Sequence, residues 1–380
     1  MGPLRGIKIA IKNTKAHKGR PAAKDVGIGQ LLVIGFDGTE ISAGLASLLK
    51  RIQPAGVILF ARNIVSAPQT YKLLKDCQAQ VSAPLFRCVD LEGGKVDRLR
   101  NVIGPAPSAS EVFAAGGRPL FRKHGRVIGE NCRALGFNVD FAPAMDLAFE
   151  ASRSVMSSRL VSIDPKQTAV YAREFLAGLR AAGVLGSGKH FPGLGEGNLD
   201  SHHHLPVIRK SWKKLWAEDL APYRTLRREL PFVMVSHAAY PAVTGEKTPA
   251  SLSKKWITDV LRKRIGYRGL IASDDLEMGG VLAAAPIEQA AVEHIRAGGD
   301  LCLICHEEEF VTRAYQELVR TAQHDRRFAR RVTESSRRVL AFKKRTTGLA
   351  RWAKAPTEEV VQRLSRRLWE FGEQVRLGGL

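Results

Sequence analysis

LGSGKHFPGLGEGNLDSHHHLP, residues 185–206, sets the pattern by which the whole chain is read. A short strand-like run ends on Lys189 and His190, and a glycine-punctuated loop carrying Glu196, Asp200 and three consecutive histidines follows it. Gly193, Gly195 and Gly197 release the backbone from ordinary dihedral limits, so polar side chains of this loop can fold back over a pocket.

Working outward, the same texture recurs. LLVIGF (31–36), GVILFA (56–61), LFRCVD (85–90), VDFAPA (139–144), FVMVSH (232–237), LIASDD (270–275) and LCLIC (301–305) are short apolar runs. Between the runs lie segments with helical spacing: 41–52, 67–79, 120–135, 164–182, 212–226, 254–265 and 287–297. Strand alternating with helix implies a parallel sheet, and eight such units fit an α/β fold of one closed (β/α)8 barrel. A doubly wound open sheet is the alternative; it calls for a Gly-rich dinucleotide fingerprint after the first strand, and none is present. The ends of the runs support the barrel. Asp90, Asp146, Lys189, His190, His237, Asp274 and Asp275 all fall where a strand gives way to its loop, the place where such barrels gather their chemistry.

Residues 1–25 read as a basic flexible tail, 26–350 as the barrel, and 351–380 as an appended C-terminal helix too poor in apolar residues for a core of its own. After Cys305, segments 309–321 and 328–344 are helical and are expected to complete the barrel's outer ring.

Composition bounds the partners. With 380 residues, 44% of them hydrophobic, the chain can bury a large core. No apolar run approaches the ~20 residues of a membrane span, and the first residues lack a secretory signal's apolar segment, so a soluble, cytoplasmic protein is expected. The five cysteines are odd in number and sit in apolar contexts, which suits reduced thiols. Cys302 and Cys305 lie in a strand whose residues i and i+3 face opposite ways, against a redox or metal pair. A net charge of +22 attracts anionic partners, but no zinc-finger or RNA-binding motif accompanies it, so it reads as a solvated basic surface and not a nucleic-acid interface.

Three stretches carry chemistry. In SDDLEM, Asp274 at a strand end can attack an anomeric carbon or stabilise charge there; its spacing to Glu277 equally suits a helix-capping box. In DSH, Asp200 stands two residues before His202, so a carboxylate can orient an imidazole for proton transfer near neutral pH. The competing metal reading of His202, His203 and His204 suffers because consecutive side chains diverge. In DLEGGKVDR, a Gly-Gly turn can present Asp90 and Arg98 to ligand hydroxyls, or hold them as a surface ion pair.

Taken together these stretches resemble glycoside hydrolase family 3, specifically its bacterial β-N-acetylglucosaminidases of the peptidoglycan-recycling type. GQLLVIGFDGTE, GVILFARN, DLEGGKVDRLR, NVDFAPAMDL, KHFPGLGEGNLDSHHHLP, MVSHAAYPAV, PASLS, GLIASDDLEMGG and AGGDLCLIC occur in the family's order. The resemblance implies a barrel without a second domain, Asp274 as nucleophile, and His202 assisted by Asp200 as acid/base. It implies sugar contacts from Asp90, Arg98, Arg159, Lys189 and His190, and no metal or organic cofactor. The implied reaction is retaining exo-hydrolysis of terminal β-linked GlcNAc, with GlcNAc-anhydro-muramoyl fragments as the implied substrate. Two other outcomes are a glycoside phosphorylase, in which phosphate replaces water, and a non-catalytic barrel holding anionic polymers. The chain departs from the family at Leu194, where KHFPGHG is usual, and at DLEGGK in place of DQEGGR.

Overall fold

The structure, a computed structural model, describes residues 27–197 and 205–378, apart from the side chains at 153 and 154. Eight parallel strands form the centre: β1 (Leu32–Ile34), β2 (Gly56–Ile58), β3 (Phe86–Val89), β4 (Val139–Asp140), β5 (Ser187–Phe191), β6 (Phe232–Val235), β7 (Leu270–Asp275) and β8 (Leu301–Ile304). Their order is β4-β3-β2-β1-β8-β7-β6-β5. The ends of that order meet through parallel bridges Val139–Leu185 and Ala144–Lys189, with Asp140 N donating to Leu185 O at 2.9 Å and Ser187 N to Ala142 O at 2.8 Å. The (β/α)8 barrel is therefore joined at its seam.

Strand alternation sorts the side chains into two layers. Val33, Phe86, Cys88, Phe232, Met234, Leu270, Ala272, Leu301, Leu303 and Cys305 point inward and pack together. Leu32, Ile34, Val89, Cys302 and Ile304 point outward against helices. Both faces are buried, which is why the runs are almost wholly apolar. Cys302 and Cys305 fall in opposite layers, and all five cysteines are free and buried.

Helices Ala67–Ala79 and Ile287–Ala297 have the expected bounds. The segment expected as one helix over 212–226 is broken into Trp212–Ala217 and Leu220–Leu226. At the break Asp219 turns inward and accepts from Lys210 Nζ at 2.7 Å; burial pushes its carboxyl up to about 6 despite that lysine. Helices Arg118–Ala134 and Pro165–Ala181 approach so closely that a Cβ on Gly125 would lie 2.0 Å from the Phe175 carbonyl oxygen. Gly125→Ala is expected to lower stability by about 2 kcal/mol or more, measured by urea unfolding, because a backbone oxygen cannot step aside cheaply.

One expectation holds only in part. The first turns of the helix Arg326–Arg345 pack into the outward cluster through Phe328 and Val332, but its later turns leave the ring and run beneath the barrel floor. Its Val339 and Phe342 join the inward layer, with the Phe342 ring tilted 5.5 Å from Phe232 and edge-on 6.1 Å from Phe86, the first residues of β6 and β3. Buried Asp300 ties the floor together by pairing with Arg262 and Arg338. Apolar spacing predicts a helix but not which surface it covers; here the open end of the inward layer needed a lid.

The chain then crosses to the far side, where Trp352 lies over the buried Arg87 guanidinium at 3.8 Å. The last helix, Glu358–Arg376, buries Leu364, Leu368, Phe371 and Val375 against Ala109–Ala115 and Arg118–Ala134. Among the described residues no helix is long and apolar enough to cross a membrane.

Candidate active site

The C-terminal ends of the strands surround one cavity. Asp90, Arg98, Arg159, Lys189, His190 and Asp274 all line it, as do Leu194 and Gly197. Six of the eight residues singled out from sequence are thus brought together. Asp200 and His202 lie outside the described residues, as do His203 and His204. The described chain stops at Gly197 on the cavity wall and resumes at Leu205, next to Pro206, whose carbonyl accepts from Ala239 N at 2.8 Å.

An ionic network holds the wall. Lys189 Nζ lies 2.7 Å from Asp90 Oδ1 and 2.7 Å from Glu92 Oε1. Arg159 meets Glu92 through two bonds, Nε to Oε2 at 2.9 Å and Nη2 to Oε1 at 2.8 Å. Burial alone would favour neutral forms throughout. It raises the Glu92 carboxyl, but Arg159 and Lys189 outweigh it and leave Glu92 well below the usual carboxylate range. Burial likewise lowers Lys189 and Arg159, and the facing carboxylates reverse both shifts upward. Glu92, Lys189 and Arg159 are therefore held charged.

His190 is fixed from two sides. Its Nδ1 donates to Asp146 Oδ2 at 2.7 Å, and its Nε2 faces the Arg159 Nη2 donor at 3.3 Å. Asp146 also accepts the backbone N–H of Leu194 at 2.7 Å, so one buried carboxylate positions both the imidazole and the loop after β5. The usual second histidine of that loop is replaced by a nearly buried leucine side chain, which presents an apolar wall and no hydrogen bond.

Asp274 stands at the end of β7 with Oδ1 accepting from Asp275 N at 2.9 Å. Burial pushes its carboxyl up, but the His190 and His237 imidazoles, the Asp275 N–H and Lys189 together leave it below its ordinary value. No helix begins here. Glu277 accepts instead from the backbone of His306 and Glu307, and the next helical turn, Gly279–Leu282, starts after Met278, so the capping-box alternative does not hold. His237 is buried and lowered by burial; its Nε2 donates to the Asp275 carbonyl at 2.8 Å, so Nδ1 accepts from Ser251 Oγ at 2.7 Å.

The DLEGGK turn does not form the ion pair that its spacing allowed. Asp90 pairs with Lys189, whereas Arg98 sits across the rim with its guanidinium 5.5 Å from the Phe60 ring centre. Arg98 Nε is buried without a protein partner among the described residues. Gly93 takes a φ of +83°, and a side chain there would meet the Pro107 carbonyl oxygen at 2.1 Å. At the rim, Phe60 and His306 stack at 5.3 Å, and His306 Nε2 lies 3.3 Å from Asp275 Oδ2.

Residues not named as site residues from sequence fall into two groups. Asp146 and His237 were visible as polar strand ends, and Glu92 sits inside a motif already singled out; their partners come from other strands. Phe60 lies inside the GVILFARN run but read there as part of an apolar strand, and His306 falls just past AGGDLCLIC, in no quoted stretch. Among the described residues no cluster of His, Cys, Asp and Glu is arranged to hold a metal ion.

The cavity groups the ionised Asp274 carboxylate, the cations Arg98, Arg159 and Lys189, and the Asp90 and Asp275 carboxylates around one opening, donors and acceptors suited to sugar hydroxyls. Known proteins agree. The chain matches the Glycosyl hydrolase family 3 N terminal domain over residues 24–342. It is 33% identical over 280 residues to a beta-hexosaminidase of Idiomarina loihiensis, spanning 73% of this chain and 84% of that one. It is 35% identical over 283 residues to a beta-hexosaminidase of Bordetella avium, spanning 72% and 80%. It superposes on a family 3 beta-N-acetylglucosaminidase from Paenibacillus sp. str. FPU-7 with a TM-score of 0.84 and 32% identity, covering 91% of this chain and 68% of that one. The chain belongs to glycosyl hydrolase family 3 and is a glycoside hydrolase.

Proposed function

We propose that this protein is a retaining exo-β-N-acetylglucosaminidase. The observation that carries the reading is Asp274: a half-buried carboxylate, kept ionised by its neighbours, in the same cavity as the Asp90, Lys189, Arg159, His190 and Arg98 side chains. Its likeness to beta-hexosaminidases and to a family 3 beta-N-acetylglucosaminidase supports the sugar. In this mechanism Asp274 attacks the anomeric carbon and displaces the aglycone oxygen, which takes a proton from His202. The glycosyl ester then forms on Asp274. Neutral His202 next removes a proton from water as that water attacks the same carbon, and the ester bond to Asp274 breaks with the original configuration restored. Asp200 orients His202 and stabilises its charged form. Asp90 and Lys189 bind neighbouring ring hydroxyls, one accepting and one donating. The proposed natural substrate is GlcNAc β-linked to an anhydro-muramoyl unit.

The decisive assay compares matched aryl β-N-acetylglucosaminide and β-glucoside substrates. Strong preference for the first supports the reading; equal turnover or none overturns it. His202→Ala separates the acid role from a merely structural one. It should cut kcat/KM by about 10²- to 10⁴-fold on a disaccharide with a poor leaving group, and far less on an activated aryl glycoside. Equal losses on both would remove His202 from the acid position.

A further inference from the structure

We infer that the barrel floor, the face opposite the cavity, is a docking surface for anionic lipid membranes. The floor helix Arg326–Arg345 buries one side against the inward layer and shows the other to solvent. Arg330, Arg337 and Lys344 recur on that outer side at intervals of seven, and Arg345 adjoins them. Leu340, 42% exposed, stands in the middle of this basic stripe.

Beside the helix is a cleft at the N-terminal ends of β6 and β7. Its rim carries Arg227, Arg228, Arg268 and Arg345, and its floor includes Leu185, Leu230 and Phe342. The acids nearby do not neutralise it. Glu229 is paired with Arg173, Glu334 with Arg331, and buried Asp300 with Arg262 and Arg338.

The described chain begins beside the same helix. Gly27 abuts Ser336 of the floor helix, where an added Cβ would lie 3.3 Å from Ser336 Cβ. In sequence Gly27 is preceded by residues 1–26, which carry seven Lys and Arg against one acid. Within them, IKIAIK (7–12) sets Lys8 and Lys12 among apolar residues.

The apolar component selects the partner. A nucleic acid is held by cations along its backbone and by aromatic stacking, and gains nothing from leucine and isoleucine. A lipid headgroup surface rewards both at once: cations meet phosphate, and aliphatic side chains enter the acyl boundary. Arginines around an apolar cleft fit a phosphodiester with its hydrocarbon attached. Docking by this face leaves the cavity pointing away from the bilayer, open to soluble fragments.

The test is co-sedimentation of the full chain with vesicles of phosphatidylcholine alone, or with phosphatidylglycerol as about a third of the lipid. Binding is expected to the anionic vesicles only and to weaken as salt is raised. The triple variant Arg228→Glu, Arg268→Glu, Arg345→Glu should bind at least about tenfold more weakly while hydrolysing a soluble aryl glycoside normally. Lys123→Glu, Arg363→Glu, Arg366→Glu makes the same charge change on the barrel's flank and should bind within about twofold of the parent protein. Failure to sediment, equal losses in both triple variants, or an unaffected floor variant would each overturn the inference. Tighter, floor-dependent binding to duplex DNA than to the vesicles would reassign the surface to nucleic acid.

Discussion

Asp274→Ala is expected to lower kcat on an aryl β-N-acetylglucosaminide by about 10⁴-fold or more while the protein still unfolds cooperatively at a temperature close to that of the parent. The two halves of this result have separate causes. Asp274 is the carboxylate that the cavity keeps ionised, so its removal deletes the proposed attacking group. Its visible hydrogen bond, however, is with the adjoining Asp275 N–H, and the wall around it is held by Glu92, Asp90 and Asp146. Azide should restore turnover in this variant, because a small anion can enter from the face that Asp274 occupied. The product should then be the α-glycosyl azide, identified by NMR. Undiminished kcat, or a β-configured azide, would exclude Asp274 as nucleophile.

Glu92→Gln should damage the fold more than any other change at the site. The substitution keeps the shape but removes the negative charge that faces Lys189 and Arg159, whose side chains are 2% and 16% exposed. Lys189 then keeps only Asp90 as a close anionic partner and Arg159 loses its ion pair, so a loss of about 3–5 kcal/mol is expected in urea unfolding at neutral pH. Activity should fall with it, since both cations line the cavity. A loss below about 1 kcal/mol would show that the network is not what holds this wall.

The pH dependence follows from the directions of the shifts. Glu92 is depressed in the folded protein, so the unfolded chain binds more protons in the interval between its two pKa values. Its contribution is complete above the ordinary carboxylate value of about 4.3 and is lost as pH falls through the lower folded value. Lys189 is raised, so its contribution is complete below the ordinary lysine value of about 10.4 and fades as pH rises through the higher folded one. Between those limits the parent and the Gln variant should differ by a constant amount.

Much of the site was legible because a barrel strand ends where its apolar run ends. Asp90, Lys189, His190 and Asp274 could be placed at one mouth by that rule alone, without knowing which strands are neighbours. Pairing was not legible. Asp90 has Arg98 near it in sequence, yet its partner is Lys189, ninety-nine residues away, because the β3 and β5 ends converge across the opening. Likewise Glu277 has the spacing of a cap for Asp274, but its carboxylate is claimed by the backbone after β8.

What the sequence determined by itself was the repeating order of strands and helices, the alternation that divides inward from outward side chains, and the polar groups at strand ends. These are local properties, set by side-chain periodicity and backbone preference. Only the tertiary structure decided that the later turns of Arg326–Arg345 lie under the floor, that Glu92 balances two buried cations, and that Phe60 and His306 form the rim. Each of these depends on which distant surface most needed covering or which distant charge most needed a partner. Burial and Coulomb energy are properties of the assembled neighbourhood, and no window of sequence contains it.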